Sequence, residues 1–178
     1  MATGRLEVLV GPMFAGKTTE LIRRIIEAEK AGEKVQVYKP RLDTRHEDAS
    51  VYSHDGLVTQ ARWVGPDWNT PFSNGATVVG FDEVQFFSLD VVPEVIRALR
   101  KGTRVIAAGL DLTSQEEPFG PVPALLALAD EVLKLRARCS QCGQPATRSY
   151  RRVASSATIL VGGAEVYEPR CLSCFAAG

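Results

Sequence analysis

Eight consecutive residues, Gly11-Pro12-Met13-Phe14-Ala15-Gly16-Lys17-Thr18, restrict this chain more than any other stretch. They fit G-x-x-x-x-G-K-[ST], a loop whose glycines let successive backbone N–H groups point at a bound polyphosphate. In such a loop Lys17 neutralises the outer phosphates and the Thr18 hydroxyl holds Mg²⁺. An eight-residue pattern can arise by chance, so its flanks must decide. Ahead of it Leu6-Glu7-Val8-Leu9-Val10 reads as a short strand, and behind it Leu21, Ile22, Ile25 and Ile26 recur at helical spacing. A plain glycine turn between strand and helix gives no reason for Lys and Thr to follow Gly16.

A length of 178 residues allows one ordinary domain with a small appendage. Hydrophobic residues at 45% and charged residues at 24% predict a core and exclude wholesale disorder. Lys plus Arg equals Asp plus Glu at 21 each, a balance that gives no push toward nucleic acid or membrane lipid, and neither is expected as a partner. Apolar runs fall short of the roughly twenty residues a membrane span needs. The first strand begins almost at once, leaving no room for a signal peptide, so a cytoplasmic location is expected. In that compartment the four cysteines are expected to be reduced or metal-bound.

The helix after the loop is expected to reach about Ala31, with Gly32 as its stop. Val35 to Tyr38 reads as a second strand, ended by Lys39-Pro40, and strand, helix, strand in this spacing is a βαβ unit with a parallel sheet. The polar run from Arg41 to Gly56 reads as a solvated loop. In a doubly wound fold a loop after a strand's carboxyl end lies beside the ligand crevice, which singles out Asp43 and Arg45. His46 and His54 lack ligand spacing and read as surface or structural residues. Gln60 to Val64 is expected as a further strand, and Gly65 to Gly75 as a connection in which Trp68 and Phe72 pack on the domain.

Ala76-Thr77-Val78-Val79-Gly80-Phe81 is an apolar run that ends in Asp82-Glu83. Two acids at a strand end can be merely solvated. With a phosphate loop in the same chain, Asp82 instead suits the metal-positioning acid of a Walker B strand, and Glu83 suits a general base beside the γ-phosphate. Leu89 to Leu99 has helical spacing with Asp90 as a candidate cap, Arg104 to Gly109 is a buried strand, and Pro118-Phe119-Gly120 presents an aromatic on a turn. Pro123 to Asp130 reads as helix and Val132 to Ala137 as strand. Roughly five parallel strands flanked by helices therefore make residues 1–137 an α/β nucleotide-binding domain.

Residues 138–178 change character. Cys139-x₂-Cys142 and Cys171-x₂-Cys174 are two knuckles separated by 28 residues, the donor set of a tetrahedral, structural Zn²⁺ site with a long loop inserted. Disulfides and a redox C-x-x-C are the alternatives. Between the knuckles lies a basic cluster, Arg148-Ser149-Tyr150-Arg151-Arg152, which is weak evidence for nucleic acid on a neutral chain. Ala157 to Gly163 is apolar and ends in two glycines, with Tyr167 just beyond.

These residues describe a Mg²⁺-dependent nucleoside-triphosphate enzyme with a zinc-stapled appendage, and leave open whether Glu83 primes water or a substrate hydroxyl. Absence of N-K-x-D disfavours a GTPase. The set Gly11 to Thr18, Lys39-Pro40 with Asp43-Thr44-Arg45, Ser53-His54, Asp82-Glu83-Val84-Gln85-Phe86-Phe87, Gly109-Leu110-Asp111, Pro118-Phe119-Gly120, Cys139-x₂-Cys142 and Gly162-Gly163 through Tyr167 to Cys171 resembles the cytosolic, zinc-containing thymidine kinases. That resemblance implies a P-loop, RecA-like α/β core, a lasso loop on a C-terminal zinc domain, a homotetramer, and transfer of the γ-phosphate of ATP to the 5′-hydroxyl of thymidine.

Carried over by residue, it implies that Glu83 is the base. Lys17, Thr18 and Asp82 hold the triphosphate and Mg²⁺, and the remaining ATP contacts come from the rest of Gly11 to Thr18 with Val84 and Gln85. Asp43 and Arg45 approach the nucleoside 5′ end. Met13, Phe86, Leu110, Phe119, Ser149 and Tyr167 enclose the base, whose edge meets the backbone of Leu160, Val161, Gly162 and Gly163. Ser114 stands near a position where relatives have an aromatic, and Ser149 where they commonly have Thr against the thymine methyl. The resemblance thus implies weaker discrimination of thymidine from deoxyuridine. The rival reading is a RecA-like ATPase with a nucleic-acid-binding zinc ribbon.

Overall fold

The computed structural model describes residues 4–42, 50–52, 56–65, 75–155, 157 and 159–178. Asp43, Arg45, His46, Ser53, His54, Trp68 and Phe72 lie outside the described residues. The first strand, β1 (Arg5–Val10), is apolar on both faces. Leu6, Val8 and Val10 join one buried cluster and Leu9 joins another, so β1 has a core on each side, as a parallel strand between layers must.

Helix α1 (Lys17–Lys30) supplies Leu21, Ile22, Ile25 and Ala28 to the Leu9 side. Next come β2 (Val35–Pro40), a small hairpin of β3 (Val51–Tyr52) and β4 (Val58–Thr59), then β5 (Arg62–Val64) and β6 (Val78–Phe81). A 3₁₀ turn at Val84–Phe86 leads to α2 (Val91–Arg100), followed by β7 (Arg104–Gly109), α3 (Val122–Leu128) and β8 (Glu131–Lys134). Helices α2 and α3 bury Val91, Val95, Ala98, Val122 and Leu125 against the face opposite α1. Among the described residues the sheet has six strands in the order β5-β2-β6-β7-β1-β8, every pair parallel. No helix among the described residues is long and apolar enough to cross a membrane.

Several local readings are corrected. Strand β2 does not stop at Tyr38; Lys39 and Pro40 continue it, pairing with Trp63 and Val64 of β5. A proline is tolerated there because it sits at the strand's end. The Lys39 side chain is buried, with Nζ 3.4 Å from the Ser50 carbonyl oxygen and 5.0 Å from the Trp63 ring centre. Asp90 precedes α2 without capping it by its side chain; its carboxylate accepts the Ser88 hydroxyl at 3.2 Å. Helix α3 ends at Leu128 because Asp130 is drawn to β1, its carboxylate accepting Leu6 N–H at 2.8 Å and its own N–H donating to Leu6 at 2.9 Å. That join starts β8 earlier than expected.

Glu7 in β1 is buried and ion-paired to Arg24 of α1 and Arg104 of β7. Burial alone would raise its pKa, but hydrogen bonds from Arg104 and Arg24 outweigh this and lower it below the usual carboxylate value.

The C-terminal stretch forms β9 (Ala137–Arg138), β10 (Pro145–Ala146), β11 (Arg148–Arg151), β12 (Tyr167–Arg170) and α4 (Leu172–Ala176). Both pairs, β9 with β10 and β11 with β12, are antiparallel. Arg170 stacks over Tyr150 with its guanidinium carbon 3.5 Å from the ring centre.

Candidate active site

The G-x-x-x-x-G-K-T loop leaves the carboxyl end of β1 and turns into α1 at Gly16, whose φ of 84° is the left-handed backbone that favours glycine. Lys17 Nζ donates to the Pro12 carbonyl at 2.7 Å, curling its charge back over the loop. Thr18 Oγ1 donates to Asp82 Oδ1 at 3.1 Å, so the α1 hydroxyl and the strand-end acid already share one corner. Asp82 is steadied from behind by Phe81, which stacks on Tyr38 at 5.6 Å and meets Phe87 edge-on at 5.4 Å.

Glu83 has φ 50° and ψ 44°, left-handed for a residue with a side chain. Such backbone costs on the order of 1–3 kcal/mol and collects at functional sites. It turns the chain from β6 into the 3₁₀ turn, and the Glu83 carboxylate accepts a hydrogen bond from Gln85 at 2.6 Å. Beyond it Phe86 meets Phe119 edge-to-face, centroids 5.5 Å apart at 88°.

Strands β11 and β12 bracket the long inserted loop. Tyr167 donates its hydroxyl to the Leu160 carbonyl at 2.7 Å, and Gly163 N–H reaches Glu165 Oε1 at 2.6 Å. The basic cluster is used locally. Arg148 donates to Glu116 at 2.6 Å, Arg151 to the Ala157 carbonyl at 2.6 Å, and Arg152 to the Ala164 carbonyl at 3.1 Å.

These parts open onto one cleft of about 540 Å³, within the range of small-molecule sites. From the phosphate loop it is lined by Met13, Phe14, Gly16, Lys17 and Thr18, and from the end of β6 by Asp82, Glu83, Gln85 and Phe86. Leu110, Phe119, Ser149 and Tyr167 form further wall, with Leu160, Val161, Gly162 and Gly163 across from them. Gly11, Pro12, Ala15 and Val84 are not part of the lining. Pro12 offers its carbonyl to Lys17, Val84 is in the core, and Ala15 packs on Ala137, Cys139 and Ala146. Sequence reasoning missed Lys39, Tyr52 and Thr113 as lining residues. Lys39 and Tyr52 fall in what read as a strand stop and a polar loop; the alternation of Val51 with Tyr52 was the available signal.

The four cysteines converge from two knuckles, with all Sγ atoms within 4.8 Å of one another. A tetrahedral zinc site with Zn–S near 2.3 Å needs sulfurs about 3.8 Å apart, and the Cys142–Cys171 pair lies at 3.6 Å. The donor set therefore fits Zn²⁺. Burial would raise the Cys139 thiol, yet backbone N–H donors at Cys171, Cys142 and Gln141 bring it down to about 6. Hydrogen bonds with Cys142 and Cys171, with burial, push Cys174 up to about 12.

A parallel sheet that delivers a G-x-x-x-x-G-K-T loop and a strand-end acid to the same carboxyl edge is a P-loop nucleotide-binding fold, and the chain is of that class. The thymidine kinase family model matches residues 4–175, and the chain belongs to that family. It is 46% identical to the thymidine kinase of Deinococcus deserti, over 94% of this chain and 92% of that protein. Identity to the Coprothermobacter proteolyticus thymidine kinase is 47%, over 94% of this chain and 88% of the relative. A Bacteroides fragilis thymidine kinase is 42% identical over 97% of this chain and 87% of its own length.

Proposed function

We propose that the chain transfers the γ-phosphoryl group of ATP to the 5′-hydroxyl of thymidine, giving thymidine 5′-monophosphate and ADP in nucleoside salvage. The observation that carries this reading is that Glu83 lines one cleft together with Lys17, Thr18 and Asp82 and with the Phe86–Phe119 pair. A base set between a triphosphate cradle and an aromatic slot has a nucleoside hydroxyl as its natural proton donor.

Phosphoryl transfer needs positioning and charge stabilisation more than covalent chemistry. The backbone from Gly11 to Gly16 cradles the phosphates and Lys17 leaves Pro12 to neutralise the outer ones. Thr18 and Asp82, already joined by a hydrogen bond, would hold Mg²⁺, whose positive charge would favour phosphoryl transfer. Glu83 takes the proton of the attacking 5′-hydroxyl. Arg45 and Asp43, by resemblance, act at the nucleoside 5′ end. Met13, Leu110, Phe119 and Tyr167 clamp the base, and the backbone of Leu160 to Gly163 reads its edge. The fixing of Leu160 by Tyr167 supports that last role. The change of character along the chain divides it into residues 1–137 and 138–178, the two knuckles hold one structural zinc, and by resemblance the chain works as a homotetramer.

ATP consumption measured with each nucleoside in turn tests the reading. Thymidine-dependent turnover is expected, and Glu83→Gln is expected to lose roughly 10²–10⁴-fold in kcat while still binding ADP. Nucleoside-independent hydrolysis overturns the kinase assignment; full activity in Glu83→Gln overturns the base.

A further inference from the structure

Gln85 is nearly inaccessible, 3% exposed, yet its carboxamide touches the cleft. Its Oε1 accepts the backbone N–H of Leu110 at 3.0 Å, and its Nε2 donates to Glu83 Oε2 at 2.6 Å. The two contacts fix which way the amide faces. A backbone N–H can bond only the oxygen end, and a carboxylate facing the other end needs the N–H₂. Flipping the amide would oppose donor to donor and acceptor to acceptor. The pocket around it has little slack. A Cβ at Gly109 would lie 2.6 Å from Gln85 Oε1, so that strand end is open to the carboxamide only because it carries no side chain.

We infer that Gln85 is a positioning residue for Glu83, a role that rests on reading Glu83 as the base. Glu83 sits on left-handed backbone with a flexible side chain, and a base must hold its lone pair toward one hydroxyl. The Gln85 N–H fixes one carboxylate oxygen and so sets the direction in which the Glu83 side chain points. The Leu110 end ties that orientation to the wall of the base slot, since Leu110 lines the same cleft. One buried side chain therefore connects the seat of the nucleoside base with the group that deprotonates its sugar.

Two variants separate the contacts. Gln85→Glu keeps an acceptor for Leu110 N–H but replaces the amide donor with a second carboxyl that shares a proton with Glu83; Gln85→Met has similar size and makes neither bond. Both are expected to lower kcat by about 10²-fold, with KM for ATP and for thymidine within about twofold of wild type. On a Glu83→Gln background either substitution is expected to add almost nothing, because Gln85 acts through the group already removed. Gln85→Glu retains the Leu110 anchor, so it reports on the role even where Gln85→Met melts early. An unchanged kcat, a raised KM for ATP at constant kcat, or an equal loss in both backgrounds overturns the inference. Full activity in Glu83→Gln alone overturns the base reading and the inference with it, whereas a dead Glu83→Gln beside a normal Gln85→Glu overturns only the inference.

Discussion

The Ser149 hydroxyl accepts a hydrogen bond from the backbone N–H of Met13 at 3.0 Å, joining β11 to the middle of the phosphate loop across 136 positions of sequence. The loop is thus held from both sides, by its own strand and helix and by the strand β11. Ser149 is 6% exposed, so no abundant water stands ready to replace it.

Removing that acceptor leaves the Met13 N–H unpaired. Ser149→Ala is expected to cost about 1–3 kcal/mol, a fall in Tm of several degrees in a chain of this size, at roughly 2–4 °C per kcal/mol. Nucleotide affinity should fall with it, because the loop loses a brace. Ser149→Thr keeps the hydroxyl and adds a methyl at a cleft-lining position. Its Tm should match wild type, while its kcat/KM preference for thymidine over deoxyuridine should rise about fivefold, the value of one methyl contact. Equal selectivity in the two proteins would remove Ser149 from the base pocket.

Gly120 tests how tightly Gln85 is seated. It has φ 51°, and a Cβ there would stand 2.3 Å from the Gln85 carbonyl oxygen, a backbone atom that cannot swing aside. Gly32 has φ 81° but open space where its Cβ would go. Gly32→Ala should therefore show strain alone, about 1 kcal/mol, and normal kcat. Gly120→Ala should lose more stability and also kcat, since Gln85 must move. Thermal melts and steady-state assays on the pair decide it; matching kcat values in the two would mean that Gln85 tolerates displacement.

The phosphate loop, the Asp82-Glu83 strand end and the cysteine knuckles were legible because each is a short run whose chemistry depends on local spacing. Features made by distant partners were not. Glu7 reads as one polar residue in an apolar strand, and only the fold brings Arg24 and Arg104 to it, 17 and 97 positions away. Strand β3 hides in a polar run because Val51 is its one apolar residue in the core beside α1. Lys39 looks like a strand stop beside proline, and its burial depends on Ser50 and Trp63. Arg151 and Arg152 look like a nucleic-acid signal until the loop they clasp is seen.

The Glu7 cluster predicts how stability responds to acid. Glu7 is 1% exposed, with Arg104 Nε at 2.7 Å and a hydrogen bond from Arg24, which also bonds Glu20 at 2.7 Å. Hydrogen bonding from Arg23, against opposing burial, and from Arg24 takes the Glu20 carboxyl down to about 2. Both folded-state values lie below the ordinary 4.5, so the stabilisation is complete above pH 4.5 and is lost as pH falls through the folded values. Urea midpoints should be flat at neutral pH and drop between about pH 4.5 and 2. Glu7→Gln leaves the guanidinium groups without their buried counter-charge, so it should lose about 3 kcal/mol or more at pH 7 and show a shallower acid slope. An acid slope identical to wild type would place the titrating groups elsewhere.

The cysteine cluster predicts a link between metal and nucleotide. Ala15 of the phosphate loop packs on Ala137, Cys139 and Ala146, and Met13 of the same loop bonds Ser149, so the segment that carries the knuckles braces the loop. Thiols must lose their protons to bind zinc, and the free energy of binding then becomes folding free energy for the segment. Titration with an organomercurial should release about one zinc per chain, and the metal-free protein should melt earlier and bind ADP more weakly. Cys142→Ser should reproduce both effects without the reagent, whereas Gln141→Ala, on the same turn but outside the donor set, should reproduce neither. Loss of zinc with unchanged ADP affinity would mean that the phosphate loop stands without its C-terminal brace.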